Sequence, residues 1–195
     1  LVERTGIDPV IVDDVVMGCV MQVGEQGVNI ARNAVLAAGW PESVPGTTVD
    51  RQCGSSQQAV HFVAQAVMAG SYDVGIACGV ESMSRVPIGS NAKGDYGRPI
   101  PKSYFGQYEF TSQFEGAERI AERWGITRDD TDAFGLASQQ RAARAWDEDR
   151  FAGQVVPIEA PDLDGEGNET GTTHTVARDE GLRDTSLETL AKLKP

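Results

Sequence analysis

Along the first 83 residues, short apolar runs take turns with stretches of helical periodicity. Residues 15–20 (Val-Val-Met-Gly-Cys-Val) form a nearly unbroken apolar run, the pattern of a short buried strand. Gly24 and Gly27 mark a loop. Asn29 is then placed to cap a helix over residues 30–38, which Gly39 and Pro41 end. The β-branched Thr47-Thr48-Val49 predicts a second strand. Over residues 57–69, Ala59, Phe62, Val63, Ala66 and Val67 recur at the spacing of one helix face, with Gly70 as terminator. Residues 73–78 predict a third strand. Such alternation predicts a layered α/β domain over residues 1–83.

The pattern changes near Ser84. Residues 84–110 carry Pro87, Gly89, Gly94, Gly97, Pro99 and Pro101 without periodicity and read as a long loop. Two helices follow, one over residues 112–124 closed by Gly125, and one capped by Thr127 with Asp130 three positions on, reaching about Asp147. Residues 154–159 look like a strand, residues 161–173 like an acidic turn region, and Thr185 with Glu188 like the start of a last short helix. Leu1 to Thr5 before Gly6 resembles the end of a helix. With a first residue other than methionine and an abrupt stop at Pro195, the chain reads as a fragment.

Composition fits a globular protein: 40% of the 195 residues are hydrophobic and 24% charged, which argues against disorder. The net charge of -12 argues against a protein that works by neutralising nucleic-acid phosphates, and no apolar run is long enough to cross a bilayer. Nor does a signal peptide open the chain, so the expectation is a soluble cytoplasmic protein without nucleic-acid or membrane partners. The charge is spread evenly, -6 on either side of Ser84, so any anionic ligand must be met by a local device. Cys19, Cys53 and Cys78 are an odd number without metal-binding spacing and are expected to be free thiols.

Cys53 is the chemically informative residue. It lies between a strand and a helix rich in small residues, where unpaired N–H groups and the helix dipole favour thiolate and could hold an oxyanion. The plainer alternative is a small buried thiol. A cysteine nucleophile needs a base, yet His61 follows by eight positions, about 12 Å along a helix, and His174 reads as solvated. The base is therefore expected outside residues 1–195. Asp162 and Asp164 before Gly165 read as a solvated turn rather than a calcium loop, because Thr173 stands where a closing glutamate would be needed.

Val49-Asp-Arg-Gln-Cys53-Gly-Ser-Ser-Gln-Gln-Ala59, followed by Ile76-Ala-Cys-Gly-Val-Glu-Ser-Met-Ser-Arg-Val-Pro87, resembles the thiolases, the acetyl-CoA acetyltransferases and 3-ketoacyl-CoA thiolases. The likeness continues through Ala117 to Ala121, Ser138 to Ala142, Phe151 to Pro157, and Asp179-Glu-Gly-Leu-Arg183 with Leu190 to Pro195. The resemblance implies a partial thiolase fold (layered α/β/α) with an inserted loop domain. Residues 1–83 would be part of the N-terminal catalytic domain and residues 84–195 the loop domain that covers coenzyme A. It also implies that Cys53 carries the acyl group as a thioester and that its N–H serves an oxyanion hole. Arg183 and Thr189 match positions near the nucleotide. Coenzyme A and acyl-CoA would be substrates, with no tightly bound cofactor and no metal, in a homo-oligomer, dimer or tetramer. The activating histidine and a second cysteine belong to motifs absent from this sequence. Cys78 and Ser56 stand where the family often has glycine, which leaves the subfamily open. The alternatives are a ketoacyl synthase-type condensing enzyme and a non-catalytic thiolase-like CoA-binding subunit.

Overall fold

The computed structural model describes residues 1–194, and the chain falls into two compact units, Leu1–Gln107 and Tyr108–Pro195. The first opens with a single helical turn, α1 (Val2–Thr5), closed by Gly6 in the left-handed region. Strand β1 (Asp14–Gly18) follows, then α2 (Ile30–Ala37), β2 (Gly46–Val49), α3 (Ser55–Met68) and β3 (Gly75–Gly79). Asn29 caps α2 as its spacing predicts, accepting a bond from the Arg32 N–H. The three strands are parallel in the order β2-β1-β3, with Val15 opposite Gly46 on one side and Ile76 on the other. Because β1 is central, its run is apolar without alternation, as a strand buried on both faces requires. Val12, Val15, Val35 and Val44 form the core, flanked by Trp40, Val74 and Ile76.

The parallel order gives the sheet a direction. All three strands end on the same edge, at Gly18, Val49 and Gly79. Such an edge of an open α/β sheet is where ligands are usually held.

The second unit contains α4 (Gln113–Trp124), α5 (Arg128–Asp147), the antiparallel pair β4 (Ile158–Leu163) and β5 (Glu169–Val176), and the one-turn helix α6 (Leu187–Leu190). Ser112 caps α4 and Gly125 closes it with φ +65°, while Thr127 and Asp130 form a reciprocal capping box on α5. Three expectations need correction. The strand expected over residues 154–159 begins only at Ile158, because the Gln154 and Val155 N–H groups turn back onto the Phe151 carbonyl (2.8 and 3.1 Å). Most of the expected turn over residues 161–173 is hairpin, with Pro161 opposite Thr173, and β5 is exposed along nearly its whole length. A strand without a buried face has no apolar alternation to read, and Pro161 is tolerated because a two-stranded sheet has only edges. Finally, Ser186 rather than Thr185 caps the last helix, paired with Thr189. Among the described residues, no helix is long and apolar enough to cross a membrane.

Candidate active site

Cys53 sits where the chain leaves β2 and turns into α3, on the edge where the parallel strands end. The turn is strained. Gln52 adopts φ +42°, a region that costs a side chain about 1 kcal/mol or more. Two polar side chains hold it there. The Asp50 carboxylate accepts the Gln52 N–H (2.7 Å), and the Ser55 hydroxyl accepts the Arg51 N–H (3.0 Å) while donating to the Gln52 carbonyl (2.8 Å). Ser55 is itself buried. Cys53 is exposed, which removes the buried-thiol alternative.

The first turn of α3 lies directly on the sheet. A methyl group at Gly18 would meet the Ser56 nitrogen at 2.2 Å, and one at Gly79 would meet the Ser56 hydroxyl at 2.2 Å. These two glycines are the last residues of β1 and β3, so the helix that follows the thiol rests on strand ends stripped of side chains. Gly54 and Ser55 donate back to Arg51 and Gln52, and Gln58 donates to Gly54. The backbone N–H groups of Cys53, Ser56 and Gln57 are left without acceptors among the described residues. Unpaired donors beside an exposed thiol are what an oxyanion formed on an attacked acyl group needs.

Both histidines are hydrogen-bonded to neighbours within their own unit. Cys53 Sγ makes no hydrogen bond among the described residues, while the His61 ring lies 3.1 Å from the Gln57 side chain. His174 is exposed on β5, where Nδ1 lies 2.6 Å from Asp162. The other two cysteines are sheltered. Burial, then the charge of Glu81, pushes the Cys19 thiol up, and burial pushes the Cys78 thiol up. Asp164 Oδ1 accepts the Glu166 and Asn168 N–H groups (2.9 Å each), closing its own turn, and no group able to hold a metal ion occurs among the described residues.

In the second unit, Arg183 is exposed and lines an open cleft of about 510 Å³ with Gln139, Gln140, Arg178, Glu180 and Thr185. Its N–H is fixed by the Gln139 side chain at 3.0 Å. Arg178, which the sequence did not single out, stacks 5.5 Å from the Trp146 ring centre at the same cleft. The Thr189 hydroxyl is committed to the α6 cap, accepting from the Ser186 N–H (3.0 Å) and donating to its carbonyl (2.9 Å). The residues missed are Gln52, next to Cys53, whose strain leaves no sequence signal, and Gln26, a buried amide between the loops after β1 and β3.

An exposed cysteine next to a strained residue, at the carboxyl edge of a parallel sheet covered by helices, defines the first unit as an α/β layered structure. The chain belongs to the thiolase family, since the thiolase N-terminal domain matches it over residues 1–195. It is 44% identical to a steroid 3-ketoacyl-CoA thiolase of Mycobacterium tuberculosis, covering 100% of this chain and 47% of that protein. It is 40% identical to a beta-ketoadipyl-CoA thiolase of Pseudomonas putida (94% and 48%). With a 3-oxoadipyl-CoA/3-oxo-5,6-dehydrosuberyl-CoA thiolase of Escherichia coli it shares 39% identity (100% and 50%). The chain thus spans about half the length of the curated relatives it matches.

Proposed function

We propose that Cys53 is the nucleophile of a thiolase that moves acyl groups to and from coenzyme A in two half-reactions. The Cys53 thiolate adds to the acyl carbonyl, and collapse breaks either the C–C bond of a 3-ketoacyl-CoA, expelling acetyl-CoA as a carbanion that takes up a proton, or the thioester bond of an acyl-CoA, expelling coenzyme A thiolate. An acyl-enzyme thioester remains. Coenzyme A thiolate, or the carbanion of a second acyl-CoA, then takes the acyl group and frees Cys53. The observation that carries this reading is the exposed thiol beside the N–H groups of Cys53, Ser56 and Gln57, which have no acceptors among the described residues. The proton acceptor for the thiol lies outside residues 1–195, a reading supported by Cys53 Sγ making no hydrogen bond among the described residues.

In this reading coenzyme A is substrate rather than resident cofactor, and residues 84–195 form the loop domain that covers it. Arg183 and Thr189 contact its nucleotide, Arg183 by charge and Thr189 through a surface that its capping role leaves open. An arginine is the local device by which an acidic chain meets phosphate. The whole protein is a cytoplasmic homo-oligomer. Free cysteines support a reducing compartment, and apolar side chains exposed on α3, Val60, Val67 and Met68, support association.

Treating the whole protein with a panel of acyl-CoA and 3-ketoacyl-CoA substrates, then mapping acylated peptides by mass spectrometry, tests this. An acyl group on Cys53, lost in Cys53→Ala, is expected. Turnover surviving in Cys53→Ala would refute it.

A further inference from the structure

Two loops leave the strand ends on which the thiol's helix rests, and a pair of side chains ties them together. Gln26, only 3% exposed, donates to Glu81 Oε1 (3.0 Å) and to the Met21 carbonyl (3.0 Å), and accepts the Ser82 N–H (2.7 Å). Glu81 in turn accepts the Val20 N–H (2.8 Å) and the Met21 N–H (3.2 Å). The loop after β1 is thereby joined to the loop after β3, some 55 residues away in sequence. Immediately beneath, the Val80 N–H bonds the Gly18 carbonyl and the Cys19 N–H bonds the Val49 carbonyl, both at 3.0 Å. All three strand ends are therefore held in one hydrogen-bonded plate, and Gly18 and Gly79 within it touch Ser56, three residues from the thiol.

We propose that Gln26 and Glu81 are positioning residues for Cys53, whose cross-link holds the plate of strand ends that sets where the thiol stands. The role rests on the reading of Cys53 as acyl acceptor. Only an amide satisfies the Gln26 position, because it must donate to a carboxylate and a carbonyl while accepting from a backbone N–H. Such a fully paired, buried polar group defines one arrangement of its neighbours more sharply than apolar packing does. A shift of about 1 Å at a reacting group is worth up to about a hundredfold in rate. A titratable group that faces the pair is Cys19, whose Sγ lies 3.5 Å from Gln26 Nε2 and whose thiol also feels the charge of Asp50.

Gln26→Glu and Gln26→Met in the whole protein test the role, with single-turnover acetylation of Cys53, the KM for acetyl-CoA and the melting temperature measured between about pH 6 and 8. Gln26→Glu sets two carboxylates together, and a shared proton at low pH restores the missing donor. Its acetylation rate relative to wild type should fall at least about tenfold near pH 8 and recover towards pH 6, with KM within about twofold. Gln26→Met should show the same loss without recovery, and it decides the matter if Gln26→Glu does not fold. A residue serving stability alone would lower the melting temperature and leave acetylation of the folded protein at the wild-type level at every pH. That result in either folded variant overturns the role. Wild-type protein that gains no acetyl group on Cys53 instead overturns the acyl-transfer reading, and the positioning role falls with it.

Discussion

Replacing Gly18 by alanine strikes the contact on which the site depends. The added methyl would stand 2.2 Å from the Ser56 nitrogen, 2.3 Å from the Ser55 carbonyl carbon and 2.7 Å from the Ser55 oxygen. All three are backbone atoms, so no side-chain rotation relieves the clash. The start of α3 must move until the nearest gap reaches ordinary contact near 3.4 Å, a displacement of about 1 Å. Overpacking of this kind costs about 1–3 kcal/mol. The narrower unfolded ensemble of alanine returns about 0.4–1 kcal/mol. The net expectation is a loss of about 1–2 kcal/mol in urea denaturation. The kinetic effect should be larger: the same displacement carried to Cys53 slows its acetylation by about tenfold to a hundredfold. Gly116→Ala, on α4 with nothing within 4 Å, is the control and should raise stability by about 0.5–1 kcal/mol without touching acetylation. A Gly18→Ala protein with parental stability and acetylation would refute the claim that the glycine floor positions the thiol.

Limited iodoacetamide treatment should label exposed Cys53 well before Cys19 and Cys78, whose thiols burial pushes up, and acetyl-CoA should protect Cys53. Equal labelling of all three, read by peptide mass spectrometry, would contradict this. Arg183→Ala should weaken CoA binding by roughly tenfold to a hundredfold in calorimetry and leave acetyl transfer largely intact; a fall in rate at unchanged affinity would contradict the nucleotide role. Burial pushes the Glu81 carboxyl up, but the bonds from Val20, Gln26 and Met21 together outweigh it and hold the group below the usual value. Its contribution to stability is therefore present above the unfolded glutamate value of about 4.3 and lost as pH falls through the lower folded value. Melting temperature followed against pH should show that acid loss in the parent and a shallower one in Glu81→Gln; identical slopes would argue against it.

The buried strand β1, the caps Asn29, Ser112 and Thr127, and the small residues around Cys53 were legible because each meets a local rule: an apolar run, an oxygen ahead of a helix, room at a turn. The polar hairpin was not, since with neither face buried it left only its threonines as a signal. Gln26 was invisible for a different reason. An amide in a loop looks like any solvated glutamine until residues 55 positions apart are brought together. The same holds for the role of Gly18 and Gly79, which looks local in sequence and is set by a helix packed over both.

The parallel order of the first unit also governs when the thiol site comes into being during folding. The seat of α3 needs Gly18 and Gly79 side by side, so β1 must first close on β3 across some 60 residues of chain. Contacts at that separation form late, because loop closure has to precede them. A chain emerging from the ribosome presents Cys53 before it presents the plate beneath it, and in that interval the residue is an ordinary cysteine. The turn around Cys53 acquires its seat together with tertiary structure, so under the proposed acyl-transfer role misfolded or half-made copies carry no ready-made acyl acceptor.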